Sequence, residues 1–237
     1  MASQNLIAIN TRETSATQQH KLGEKYTDEF NNTYRYIKAG AANLAVGKLV
    51  VNADADANVV NKTVARTYPA GVTSIVVDAA GTVVADAYAD GVVTISDATG
   101  EGVNYKVSGN TGVTGAGEIT LTLAQPTTVA LTIDVSEYTL TKNLWDSVVI
   151  SATDQADMAV GVPNVAITAA YFGWVQTGGT CAVLADEAVT RGLALTIGTG
   201  TAGAVEALDA AGEPQIGIAR DTLVDTEYTS VFLTIDQ

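Results

Sequence analysis

Cysteine is nearly missing from this chain of 237 residues: Cys181 stands alone. One cysteine excludes an intramolecular disulfide framework and a cysteine-based zinc site, and its small apolar neighbours predict a buried, inert thiol. Histidine is as scarce. His20 is the single one and sits in a polar N-terminal stretch, so a Ser-His-Asp or Cys-His arrangement has no well-positioned general base. No GxSxG elbow, P-loop or HExxH motif occurs. Long hydrophobic runs are also missing. The most apolar windows, such as Val165 to Val175, are far shorter than a membrane span. The opening residues MASQNLIAINTRETSATQQ contain no basic region followed by an apolar one, so no secretory leader is expected and synthesis in a cytoplasm is.

Positive charge is scarce too. Twelve Lys/Arg face 26 Asp/Glu, a formal net charge of −14. Nucleic acid is therefore not an expected partner, because binding it rests on basic residues neutralising phosphates; an anionic membrane surface is disfavoured for the same reason. The imbalance is uneven along the chain. Residues 1–66 hold eight Lys/Arg against six Asp/Glu, whereas residues 67–237 hold four against twenty. This reads as a near-neutral anchoring end followed by an acidic, solvated body.

What the chain does have is apolar content of 47%, mostly Ala and Val, interleaved with Thr and 22 glycines. That mixture suits short strands joined by tight turns and predicts a mainly β protein of barrel or sandwich type. Residues 1–33 carry only a short apolar patch at Leu6, Ile7 and Ile9 and read as an extended N-terminal arm that lies along a partner. Its deletion is expected to leave the body folded and to weaken attachment. From Tyr34 the pattern alternates. Strand-like runs follow at Val72 to Val77, Val83 to Ala87, Val92 to Ile95, Val103 to Val107, Ile119 to Leu123 and Val129 to Ile133, with turn chemistry between them. Core-like runs return at Val148 to Ile150 and Val165 to Ala170. Aligning Tyr36–Val51 with Cys181–Thr196 places Gly47 on Gly192, with Leu44 and Val189 three residues before each glycine. This suggests one barrel-like domain from residues 34–66 plus 141–237, with residues 67–140 inserted as a second β module.

Possible chemistry is thinly spread. Gly100-Glu101-Gly102 and Gly198-Thr199-Gly200 are not followed by a helical pattern, so they read as hairpin turns and not as phosphate loops. Asp86, Asp90, Asp97 and Glu101 lie close together and suit either solvated turns or a calcium loop, although the EF-hand spacing is missing. Trp145 and Trp174, with Tyr171 and Phe172, suit core or subunit contacts, or alternatively a sugar-stacking platform.

The segments Phe172-Gly173-Trp174-Val175-Gln176-Thr177-x-Gly179, Val189-x-x-Gly192-x-x-Leu195, Gly203-x-Val205 and Ile216-Gly217-Ile218-Ala219 resemble the decoration (head cement) proteins of tailed-bacteriophage capsids. Tyr34 to Gly40 running into Ala45-Val46-Gly47 is similar to the opening strand of that family, and Tyr88-Ala89-Asp90-Gly91 followed by Gly100-Glu101-Gly102-x-x-Tyr105 to a run common in phage head proteins. The resemblance implies a β-rich subunit without catalysis, cofactor or metal. It would bind the major capsid protein on the outer surface of the virion and itself, as a homotrimer, and stabilise the shell. Capsid or subunit contacts are then expected at Leu6, Ile7, Ile9, Arg12, His20, Lys21 and Lys25 of the arm, and at Phe172 and Trp174. The inserted module departs from the smaller members. A tail-tube, baseplate or fibre component, and a carbohydrate-binding or adhesin-like module, are the competing readings.

Overall fold

The computed structural model describes residues 9–153, 155 and 157–236. The chain forms two compact units, Met1–Ala53 with Leu144–Gln237 and Asp54–Asn143. In chain order the strands of the first unit begin with β1 (Lys25–Thr27), β2 (Thr33–Lys38) and β3 (Val50–Val51). The second unit holds β4 (Lys62–Thr63), β5 (Ser74–Ala79), β6 (Val92–Asp97), β7 (Asn104–Asn110), β8 (Gly117–Leu123) and β9 (Glu137–Thr141). The first unit resumes with β10 (Val149–Ile150), β11 (Ala159–Pro163), β12 (Phe172–Leu184), β13 (Ala194–Ile197), β14 (Val205–Ala207), β15 (Gly217–Ala219) and β16 (Tyr228–Thr234). One turn of 3-10 helix at Ala57–Val59 is the only helix among the described residues.

The second unit begins at Asp54, ahead of the expected Thr67, because β4 pairs with β9 (Lys62 opposite Tyr138) and so belongs to that sheet. Nothing in the polar run before Arg66 alternates strongly enough to announce this. The order β4-β9-β6-β7-β8-β5 is closed by a bridge between Val64 and Val77, with the Ala65 amide donating to the Val76 carbonyl at 2.9 Å. Period-two alternation turns Ile75, Val77, Val93, Ile95, Ile119 and Leu121 into one apolar interior. Tyr138 is fully buried there and satisfies its hydroxyl by donating to the Asp78 carbonyl at 2.6 Å.

In the first unit the strands follow β10-β3-β11-β12-β16-β15-β13-β14, with β2 and β1 attached to the first half of β12. Leu49 donates to Gly203 at 2.8 Å and Gly203 to Ser151 at 3.0 Å, which brings the approach to β14 back to the β3 and β10 side. The sheet is thus curled and nearly closed around Leu49, Val162, Val183, Leu195, Val231 and Leu233. The 13-residue β12 is its spine: residues 172–178 pair with β2 and residues 178–184 with β16. Gly179, at φ +85°, sits at this change of partner, where an added Cβ would lie 2.3 Å from Asn32 Oδ1.

Two expected strands, at Val83 to Ala87 and Val129 to Ile133, are absent, and the core-like run at Val165 to Ala170 buries Ile167 without forming one. Val83 to Ala87, Val129 to Ile133 and Val165 to Ala170 each contribute a single bridge, through Val83 to Val113, Leu131 to Tyr68 and Ile167 to Leu44. Their apolar residues serve a recurring device instead. Leu44 and Ile167 exchange two backbone hydrogen bonds, as do Tyr68 with Leu131, Val83 with Val113 and Val189 with Leu223. Three residues after Leu44, Ile167, Tyr68, Leu131, Val83, Val189 and Leu223 the backbone turns to positive φ, at Gly47, Ala170, Gly71, Asp134, Asp86, Gly192 and Thr226 respectively. A strand then begins. The left-handed residue reverses the chain, so the anchor side chain plugs the body while the next strand enters the sheet. The Leu44/Gly47 and Val189/Gly192 correspondence is therefore one instance of a device found in both units.

Candidate functional site

The residues expected to contact a partner converge on the β2–β12 face of the first unit. The N-terminal segment is laid across that face by backbone hydrogen bonds. Ser15 and Phe172 exchange a pair at 3.0 and 2.8 Å, the Gly23 amide donates to Tyr36, and Lys25, Tyr26 and Thr27 pair with Arg35, Tyr34 and Thr33. Alternation along β2 and β12 points Tyr34, Tyr36, Phe172 and Trp174 to this side, where Ile9, Leu22 and Tyr26 cover them. Tyr36 stacks on Phe172 (6.0 Å between centroids, 10° between planes) and meets Trp174 edge-on at 5.1 Å. His20 meets both Tyr36 and Trp174 edge-on at 5.1 Å and lies 3.4 Å from Glu24. A cleft of about 260 Å³ remains between the segment and the sheet, lined by Ile9, Asn10, Glu13, His20, Tyr36 and Trp174 among others.

Of the two readings of Phe172 and Trp174, core packing and partner contact, this placement bears out the first and corrects the second. Both are buried, Trp174 at 2% exposure, by the chain's own N-terminal residues. A sugar platform at Trp174 is excluded by the same burial. Residues 9–33 lie along their own sheet, joined to it through a bridge at Ser15 and through β1, with turns at residues 11–12, 22–23 and 29–30 between the contacts. Ile9 and His20 are half-buried in that packing, whereas Arg12, Lys21 and Lys25 are exposed; Leu6 and Ile7 lie outside the described residues.

Electrostatics reinforce the seam. Asp236 accepts from Arg35 Nε at 2.5 Å and lies 3.7 Å from Lys25 Nζ, and Lys38 lies 3.9 Å from Asp146. The hydrogen bond from Arg35 holds the Asp236 carboxyl below its usual range, against the opposing effect of burial. Three of the eight basic residues read as an anchoring end, Lys25, Arg35 and Lys38, are thus matched by acids from the C-terminal part of the same unit. Arg35 also donates to the Gly23 carbonyl at 2.7 Å and lies 5.3 Å over the Trp145 ring. Burial, then the neighbouring Asp28, pushes the Tyr34 hydroxyl up to about 12. Burial likewise pushes the Cys181 thiol up to about 12, the inert state expected of it.

The carboxylates singled out in the second unit do not gather. Asp86 accepts from the Asn110 amide, Asp90 pairs with Lys106 at 2.8 Å, and Asp97 accepts from the Ala98 amide at 2.7 Å. Among the described residues no cluster of three or more His, Cys, Asp or Glu side chains is placed to hold a metal ion. Gly100 and Gly102 both take positive φ in the turn between β6 and β7, and Thr199 and Gly200 lie in the β13–β14 hairpin, where their amides donate to Glu206 and Asp186.

Sequence reading passed over a second face, on the outside of β16 and β15. Phe232 and Ile218 are exposed there although the alternation calls for polar residues, and Arg191 and Arg220 stand beside them. The signal was an apolar residue at the outward phase of each strand. No known protein family, curated protein or solved structure matches the chain.

Proposed function

We propose that the chain is a structural virion protein that binds the outside of an assembled phage capsid and stabilises it, without catalysis. The observation that carries this reading is where the resembling segments lie. Tyr34 to Gly40 and Phe172 to Gly179 are distant in sequence yet neighbours in one sheet, Trp174 opposite Tyr36 and Phe172 opposite Lys38. The turn-bearing segments at Val189–Gly192 and Ile216–Ala219 belong to the same curled sheet, around β13 and β15. The segments that resemble the decoration family therefore fall on one structural body, while the run from Tyr88 to Tyr105 that is common to phage head proteins lies in the inserted unit.

A shell-binding protein needs no active site, because many copies on a repetitive lattice supply affinity through multivalency. A compact, nearly closed β body suits such a load, and a surplus of 26 acids over 12 bases keeps crowded copies soluble and apart. The test is direct. Purified chain is mixed with expanded heads of the phage that encodes it, and mature particles are analysed by mass spectrometry. Saturable co-sedimentation and a stoichiometric presence in particles are expected. Absence from particles together with failure to bind heads would overturn the reading, and presence in tails alone would favour a tail or fibre role.

A further inference from the structure

We propose that the outer face of β12, β16, β15 and β13 is a docking surface for an extended acidic segment of a partner protein, one in which carboxylates alternate with apolar side chains. The face is a continuous row across four strands. Thr180 stands opposite Phe232, Phe232 opposite Ile218, and Ile218 opposite Ala194. Phe232 is 43% exposed and Ile218 37%, while their chain neighbours Val231, Leu233 and Ala219 point into the core and are buried. Exposed Leu193, Tyr228 and Val46 extend the apolar surface at its margins. Contiguous exposed apolar surface of this kind marks an interaction site, and scattered single residues do not.

Two clefts flank the row. One, of about 480 Å³, is formed by Arg191, Gly192, Ile218, Ala219, Arg220 and Phe232. The other, of about 510 Å³, has Arg12, Val46, Thr180, Ala182 and Tyr228 on its wall. Arg220 joins them by donating to Thr180 Oγ1.

Charge identifies the occupant. The first unit carries sixteen Asp/Glu against eight Lys/Arg, and residues 144–237 contain only two basic residues, Arg191 and Arg220. Both lie on this face, Arg12 lines the adjoining cleft, and among the described residues no carboxylate lines either one. An acidic partner would be repelled by a chain of net charge −14 at most approaches, so a local arginine set selects this face. Arginine offers a carboxylate a two-pronged donor, and arginine beside aromatic residues is the usual composition of an interface centre. An extended segment presents alternate side chains to one side, matching an apolar row bounded by arginines. A nucleic acid would meet too few cations here and an apolar centre that its phosphates cannot use. The chemistry of the partner is inferred without the capsid reading; where both hold, this face is the one that meets the shell.

Fluorescence polarisation with the full chain tests it, using labelled peptides in which Asp, Lys or Ser alternates with Val, and a single-stranded oligonucleotide. The Asp/Val peptide is expected to bind most tightly and to weaken with salt. Arg191→Glu and Phe232→Thr, both at exposed positions, are each expected to weaken it about tenfold while leaving the thermal midpoint unchanged; Val84→Thr in the second unit is expected to change nothing. Equal binding of the Lys/Val or Ser/Val peptide, preference for the oligonucleotide, or no binding of the Asp/Val peptide up to about 1 mM by the folded chain would each overturn the proposal.

Discussion

The two units use the same closing device in opposite circumstances. The second unit is continuous in sequence, from Asp54 to Asn143, and its six strands close on one another around one apolar cluster. The first is made of two segments separated by the whole of the second, and its β2–β12 seam is held by aromatic stacking and by ion pairs between basic residues before residue 53 and acids after residue 144. Local contacts suffice for one body. The other needs its ends to find each other, which costs loop-closure entropy before any contact forms. The exposed apolar and arginine side chains of the outer sheet face also belong to the first unit, and the second places ten acids against four bases on its residues. The proposed docking chemistry and the self-sufficient contacts thus fall to different bodies.

Removing residues 1–33 is the severest test of that contrast. It takes away β1 and the cover over Tyr36, Phe172 and Trp174, so the first unit is expected to lose several kcal/mol, on the order of a buried aromatic truncation at about 4 kcal/mol, and to bind a hydrophobic dye. A folded body with an unchanged midpoint, the outcome expected from sequence, would return the segment to the role of a free arm. The second unit should be indifferent: expressed as residues 54–143 it is expected to unfold cooperatively, and Leu131→Ala, at a fully buried anchor, to cost it about 3 kcal/mol. If calorimetry of the full chain shows both bodies melting together and Leu131→Ala lowering both, the division fails.

The turn device offers a finer probe. Gly47, at φ +70°, would place a Cβ 2.7 Å from the Tyr228 ring, whereas Gly71, at φ +99°, has nothing within 4 Å. Gly47→Ala is expected to cost about 2 kcal/mol and Gly71→Ala about half as much, read by denaturant midpoints. Smaller still is Asp236→Asn, at about 1 kcal/mol by loss of its charged hydrogen bond to Arg35. Because the folded carboxyl titrates below its usual value of 3.8, the stability it contributes is complete above that pH and is lost as pH falls through the lower folded value. The wild type and Asp236→Asn should therefore converge in acid; a constant difference at all pH values would assign the effect to packing.

Much of this architecture was legible because alternation is a local signal. Strands such as Ser74–Ala79 and Gly117–Leu123 announce their inward residues every second position, and the charge break near residue 66 separates near-neutral from acidic chain. Anchors such as Val83 and Leu131 misled because a buried apolar residue before a turn looks like a short strand until its single bridging partner is known. The boundary at Asp54 was illegible because β4 has two residues and is defined by its pairing with β9 alone. Phe172 and Trp174 were identified as an aromatic group, but what covers them is distant in sequence. The outer arginine and phenylalanine face escaped because Arg191, Ile218 and Phe232 are brought together only by strand order.

The measurement that bears most directly on the division of labour is co-sedimentation with expanded heads of three proteins in parallel: the full chain, the full chain carrying Arg191→Glu and Phe232→Thr, and residues 54–143. The expected result is saturable binding of the first, binding weakened about tenfold or more for the second, and none for the third. Binding by residues 54–143 alone, with the double variant indistinguishable from the parent, would contradict it.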